Sequence, residues 1–237
     1  MSFGLMGAFA IPITVIVLGL APSFTWLVFY LHEHFRHPEP KRLIFATFLA
    51  GVGSTFAVLP VQVFLNRRLL ELGVGSYTFP AFVVLAATEE LFKFLAVYFF
   101  IHKNRAFREP LDAMIYMITG ALGFAAVENI ALLQQSYGGA AILDLSILEQ
   151  VSLRFIGATL LHSLASGLVG YYWGLAFLQP QRARWHLAEG LLIASVLHAV
   201  FNYLIIKNGP AGLAIIFLIF VGFFVLNDFE KFKKVDT

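Results

Sequence analysis

The chain contains no cysteine. Disulfides, thiolate metal sites and a cysteine nucleophile are therefore excluded, and the redox compartment is left open. Charge is also scarce. Only 13% of the 237 residues are charged, against roughly 25% in a soluble domain. No polar block is long enough to fold separately, so residues 1–237 read as one domain. No Lys or Arg precedes Arg36, so the apolar N-terminus lacks the basic start of a signal peptide. It reads instead as a first transmembrane helix, interrupted or kinked near Pro12 and Pro22. No internal repeat or low-complexity segment stands out, and nucleic acid is not an expected partner.

What is present is apolar. Hydrophobic residues make up 59% of the chain, 26 of its residues are Phe, and the mean hydropathy is +0.82. A membrane span needs roughly 20 apolar residues. Seven segments qualify: 5–31, 43–65, 79–101, 111–134, 149–178, 187–206 and 210–227. The expected fold class is thus all-α, a polytopic bundle of about seven spans in a lipid bilayer. Basic residues in the connections orient it. One set of loops and the tail holds Arg36, Lys41, Arg42, Lys103, Arg105, Arg108, Arg182, Arg184, Lys231, Lys233 and Lys234. The alternate set holds only Arg67, Arg68 and Lys207. This asymmetry puts the N-terminus outside and the C-terminus in the cytoplasm.

The most informative residues are Glu89 and Glu90, adjacent in the middle of the apolar run 79–101. Ionised carboxylates at mid-bilayer cost about 2.5–3.5 kcal/mol each on insertion scales, so they mark function by default. Lys93 lies one turn after Glu89 on the same face and offsets part of the charge. Further polar groups in the spans are Asp112, Glu128, Asn129, Arg154, His162, His198 and Asn202. Asp112 follows Pro110 and suits a helix start. Glu128 and Arg154 fall at similar outer depth and are expected to pair. Glu89, Glu90, His162, His198 and Asn202 converge at mid-depth from three spans, with His198 and Asn202 on one helix face. A glutamate there can take a proton from water. One histidine then positions the water, while the second histidine and the amide stabilise an oxyanion. That set of roles is peptide hydrolysis by glutamate-activated water, with Glu128, Asn129, Arg154 and Lys93 shaping the site.

These stretches carry a resemblance. Glu89-Glu90-Leu91-Phe92-Lys93, Leu122–Asn129, the helix with Arg154 and His162, and His198-Ala199-Val200-Phe201-Asn202 resemble the PrsW family of intramembrane proteases. More distantly they are similar to the CAAX prenyl endopeptidase and bacteriocin-processing superfamily, from which Lys93 departs, since those enzymes place an arginine at another spacing. The resemblance spans a catalytic core of about 80–206. It implies Glu89 or Glu90 as the base and His162, His198 and Asn202 as the other site members. It also implies a single-pass membrane protein as substrate, such as an anti-sigma-factor-like regulator, and residence in the bacterial cytoplasmic membrane.

Two other chemistries fit the same residues. The preferred reading requires no cofactor and no metal. A zinc site of Glu90, His162 and His198, with a further glutamate as base, is the first alternative. It lacks the His-Glu-x-x-His signature of soluble zinc proteases. A proton-coupled transporter is the second, because mid-bilayer carboxylates and histidines also form proton relays. Transporters commonly show repeats around the site, and this chain shows none.

Overall fold

A computed structural model describes residues 11–33, 39–137, 145–208 and 212–233. Eight α-helices account for nearly all of these residues: α1 Ile13–Glu33, α2 Lys41–Glu71, α3 Phe79–Ile101, α4 Pro110–Tyr137, α5 Leu145–Ile156, α6 Ala158–Leu178, α7 Ala183–Asn208 and α8 Gly212–Lys233. No strand occurs among the described residues, as the all-α expectation requires.

Among the described residues, six segments are long and apolar enough to cross a membrane: Ile13–His32, Lys41–Glu71, Pro110–Ser136, Glu149–Leu178, Pro180–Lys207 and Gly212–Lys233. The third expected span, α3, has sufficient length at 23 residues. It falls short of that criterion in composition, since every stretch long enough to span contains Glu89, Glu90 and Lys93. The helix nevertheless packs among α2, α4, α6 and α7. Its charges are met inside the bundle.

Three sequence expectations need adjustment. The first helix runs through Pro22 without a break and begins just after Pro12, whose carbonyl accepts the N–H groups of Val15 and Ile16. The fifth expected span is two helices, α5 and α6, broken at Gly157. A Cβ on Gly157 would lie 2.5 Å from the Leu153 carbonyl oxygen, so only glycine allows this corner. The connection left at 135–148 between the fourth and fifth expected spans is shorter, because α4 continues to Tyr137 and α5 starts at Leu145. Residues 138–144 lie outside the described set, as do residues 209–211 between the last two helices.

The organising element is α4, which packs on α1, α2 and α6 and is buried on every side from Pro110 to Ala126. A helix that is apolar all round belongs in a core. Close approach to its neighbours depends on small residues, as in other membrane bundles. A Cβ on Gly123 would sit 2.0 Å from the Phe48 carbonyl oxygen of α2. At the start of α4, Asp112 Oδ2 accepts the backbone N–H groups of Arg108 and Glu109 at 2.7 and 2.9 Å, a helix-start role. Nearby, Tyr116 donates to Glu39, just ahead of α2, and ties that connection to α4.

Candidate active site

Four helices deliver the buried charges. Glu89 and Glu90 come from α3, Glu128 and Asn129 from α4, His162 from α6 and His198 from α7. Arg154 comes from α5, turned toward them by the break at Gly157.

The two glutamates have separate environments. Glu90 is fully buried, and both its oxygens are engaged. Oε1 accepts from Lys93 Nζ at 2.7 Å and from His198 Nδ1 at 2.9 Å, and Oε2 accepts from Ser166 Oγ at 2.9 Å. Lys93 is equally buried and lies 4.6 Å from the centre of the Phe124 ring. A buried ammonium of this kind persists only when it is paired. Glu89 has no such cation in contact. Its Oε1 accepts from Gln62 Nε2 of α2 at 2.8 Å. Its Oε2 is buried without a hydrogen-bond partner and lies 3.6 Å from His198 Nε2.

The histidines are oriented by these neighbours. Glu90 Oε1 can only accept, so His198 carries a proton on Nδ1, and its Nε2 faces Glu89. Lys93 Nζ lies 2.8 Å from His162 Nδ1, and an ammonium can only donate. The Nε2–H of His162 then donates to Glu128 Oε2 at 2.7 Å. The two imidazoles meet edge to face with ring centres 5.0 Å apart. These tautomers follow from the hydrogen-bond network.

Toward the open side, Arg154 Nη2 reaches Glu128 Oε2 at 3.4 Å, so the expected pair forms. Arg154 Nε donates to Asn129, whose Nδ2 donates in turn to Thr159 Oγ1 and to the Gly19 carbonyl. Asn129 therefore anchors Arg154 and ties α1, α4 and α6 together. Exposure rises across the cluster, from 0% at the Glu90 side chain through 12% at Glu89 to 31% at Glu128. Glu128 and Glu89 thus lie nearer the surface of the bundle than Glu90 does.

The structure brings Glu89, Glu90, His162 and His198 into one cluster, with Lys93, Glu128, Asn129 and Arg154 around them. Asn202 lies one turn beyond His198 on α7 and is half-buried. It makes no hydrogen bond to the cluster among the described residues. Two members were not anticipated from sequence, Gln62 and Ser166. Ser166 follows His162 by four residues, a spacing that puts both on one face. Gln62 is an amide inside an otherwise apolar run, which is a signal in its own right.

Ligand atoms of Glu89, His162 and His198 all lie within 4.8 Å of one another, close enough to share one ion. Glu90, named with the histidines in the zinc alternative, is not in this group, because Lys93, Ser166 and His198 Nδ1 occupy its oxygens. The donor set suits zinc, which takes imidazole nitrogen and carboxylate oxygen. The unpartnered Glu89 Oε2 and the outward Nε2 of His198 are the atoms such a site requires. The contact from His198 Nδ1 to Glu90 is the supporting carboxylate–histidine hydrogen bond common at zinc sites.

A family profile described as PrsW family intramembrane metalloprotease matches residues 39–227. Among curated proteins, the chain is 30% identical over 200 residues to Protease PrsW of Geobacillus kaustophilus, covering 84% of this chain and 83% of that protein. It is 26% identical over 226 residues to Protease PrsW of Bacillus subtilis, covering 94% and 97%. It is 25% identical over 201 residues to Protease PrsW of Clostridioides difficile, covering 83% and 82%. No solved structure matches the chain.

Proposed function

This chain belongs to the PrsW family of intramembrane proteases, and we propose that it hydrolyses a peptide bond of a membrane-anchored protein at the Glu89, His162 and His198 cluster. The family assignment makes it a protease and a bacterial integral membrane protein. The substrate, the attacking group and the metal are this reading's own. The observation that carries it is the convergence of those three side chains inside the helical bundle, with Glu89 Oε2 without a hydrogen-bond partner among the described residues.

Each residue then has a distinct task. Glu89, His162 and His198 would hold a zinc ion. When bound, such an ion acts as a Lewis acid and makes water a nucleophile near neutral pH. Glu90 keeps the proton of His198 on Nδ1 and so presents Nε2 as a ligand. Lys93 offsets the charge of Glu90, so that Glu90 supports the ligand without competing for it. Glu128, the most exposed carboxylate of the cluster, holds the proton taken from water and passes it to the leaving amine. Arg154 keeps Glu128 in place through Nη2. Asn202, one turn beyond His198 on α7, would donate to an oxyanion formed at the cluster.

A metal-free reading rests on a different observation. Both ring nitrogens of His162 are engaged, Nδ1 by Lys93 and Nε2 by Glu128, and one contact must open before His162 can act as a ligand. If it does not open, Glu89 Oε2 itself takes the proton from water and His198 assists. Under either reading the site opens to the outer half of the bilayer. The exposed members Glu128 and Arg154 lie in the outer part of their spans, and the basic loops face the cytoplasm. A single-pass membrane protein, such as an anti-sigma-factor-like regulator, fits a site at that depth.

The deciding experiment uses metal-free protein in detergent and a panel of single-pass membrane peptides. Wild type, Glu89→Gln and His198→Ala are compared with and without added zinc. Cleavage by wild type that needs zinc and vanishes in both variants supports the metal reading. Full cleavage in metal-free protein, still lost in Glu89→Gln, moves the chemistry to Glu89 alone. Cleavage that survives Glu89→Gln at the wild-type rate overturns both.

A further inference from the structure

We propose that Gln62 of α2 is a positioning residue for Glu89, and that it fixes which carboxylate oxygen the site can use. This rests on the reading of Glu89 as a member of the hydrolytic site. Its Nε2 donates to Glu89 Oε1 at 2.8 Å across the α2–α3 contact. A carboxylate held at one oxygen loses rotation about its terminal bond. The other oxygen, Oε2, is left pointing toward His198 Nε2 at 3.6 Å with no partner of its own. Without the amide, Glu89 could turn either oxygen to the cluster or swing away from it.

The chemical type of the residue matters as much as its place. A lysine or arginine at this position would hold Glu89 equally well but would neutralise it, as Lys93 neutralises Glu90. A carboxylate would repel it. An amide donates a hydrogen bond and carries no charge at any working pH. The amide thus adds no charge that would compete with a metal ion or with the proton of water for Glu89, while it sets the geometry of the carboxyl group. The two neighbouring glutamates differ in this respect too: Glu90 is held by a cation and Glu89 by a neutral donor. Outer contacts of this kind are typically worth about 10–100-fold in metal affinity or activity.

A purely structural link between α2 and α3 is the competing account. These helices already pack over much of their length, so the hydrogen bond is not needed to join them. The test uses the full-length protein in detergent with two substitutions. Gln62→Met keeps shape and removes the donor. Gln62→His restores a ring N–H of comparable reach. Zinc affinity is read by competition with a chelating indicator, kcat and KM by peptide cleavage, and folding by thermal unfolding in zinc-free buffer. The expected result for Gln62→Met is about a 10–100-fold loss of zinc affinity with a parallel fall in kcat. KM and unfolding should stay near wild type, and Gln62→His should recover part of both losses. If wild type cleaves without zinc, the fall in kcat at constant KM carries the same information. Wild-type zinc affinity and kcat in Gln62→Met would overturn the proposal, whatever happens to unfolding. Wild-type protein that neither binds zinc nor cleaves would instead refute the hydrolytic reading on which it depends.

Discussion

Replacing Lys93 with methionine isolates the energetics of the buried pair. Lys93 and Glu90 are both fully buried, with Nζ 2.7 Å from Oε1. Methionine keeps most of the length of the side chain and removes the charge, together with the Nζ contacts to His162 Nδ1 and the Phe124 ring. Breaking a buried ion pair by deleting one partner costs about 3–5 kcal/mol, because the other charge remains in a dry site. Glu90 would keep two donors, His198 Nδ1 and Ser166 Oγ, which places the expected loss at the low end, about 3 kcal/mol. For a chain of this size, each kcal/mol moves the melting temperature by about 2–4 °C, so Lys93→Met should melt about 6–12 °C below wild type.

The double variant Glu90→Gln with Lys93→Met sharpens this test. Removing both charges leaves no uncompensated ion, and such replacements are often close to neutral. The double variant should therefore melt nearer to wild type than Lys93→Met does, although it lacks the proper support for His198 and should not cleave. Thermal unfolding in detergent, read by tryptophan emission, measures all four corners of the cycle. If Lys93→Met melts within about 2 °C of wild type, the pair is not stabilising the bundle as argued. If the double variant is the least stable of the four, the charge argument fails in its sign.

Three further outcomes follow from the same geometry. Glu89→Gln should abolish cleavage yet melt within about 1 kcal/mol of wild type, whereas Glu90→Gln should lose both activity and stability by stranding Lys93; parallel cleavage and melting measurements distinguish them. Glu39, outside the spans, has its pKa pushed from 4.5 up to about 8, first by burial and then by its hydrogen bond to Asp112. A raised carboxyl pKa gives stability that is complete below the unfolded value of 4.5 and is lost as pH rises through about 8. Melting temperature should accordingly fall across that window, and Glu39→Gln should flatten the slope. Gly123→Ala would press a methyl group onto the Phe48 carbonyl oxygen, 2.0 Å away, and should cost about 1–3 kcal/mol or more as α2 is pushed from α4; an unchanged melting temperature would contradict that packing.

Much of the bundle was legible because membrane spans are set by length and apolarity, and α3 and α4 begin and end close to where those properties change. The break at Gly157 was not, since a glycine inside a long apolar run reads equally well as a packing residue. Only the contact with the Leu153 carbonyl shows that a corner is required there. The site was legible in its charged members, each of which is too costly in a bilayer to be incidental. The division of labour between Glu89 and Glu90 was not. Adjacent residues on a helix point about 100° apart, so the two carboxyls face different neighbours, and those neighbours come from distant segments.

That angular separation explains why a pair of glutamates serves here when one would be cheaper to insert. A single carboxylate cannot both fix the tautomer of His198 through Nδ1 and offer an unengaged oxygen beside its Nε2, because the two ring nitrogens face opposite ways. Glu90 meets the first demand at 2.9 Å and Glu89 the second at 3.6 Å. Two like charges this close repel, and the bundle answers with a cation for the deeper one only. The cluster of Glu89, Glu90 and Glu128 contains two cationic partners, Lys93 and Arg154, paired with Glu90 and Glu128. Glu89 is the carboxyl with no such cation among the described residues, and its Oε2 lies beside His198 Nε2, open to a divalent ion or to the proton of an attacking water.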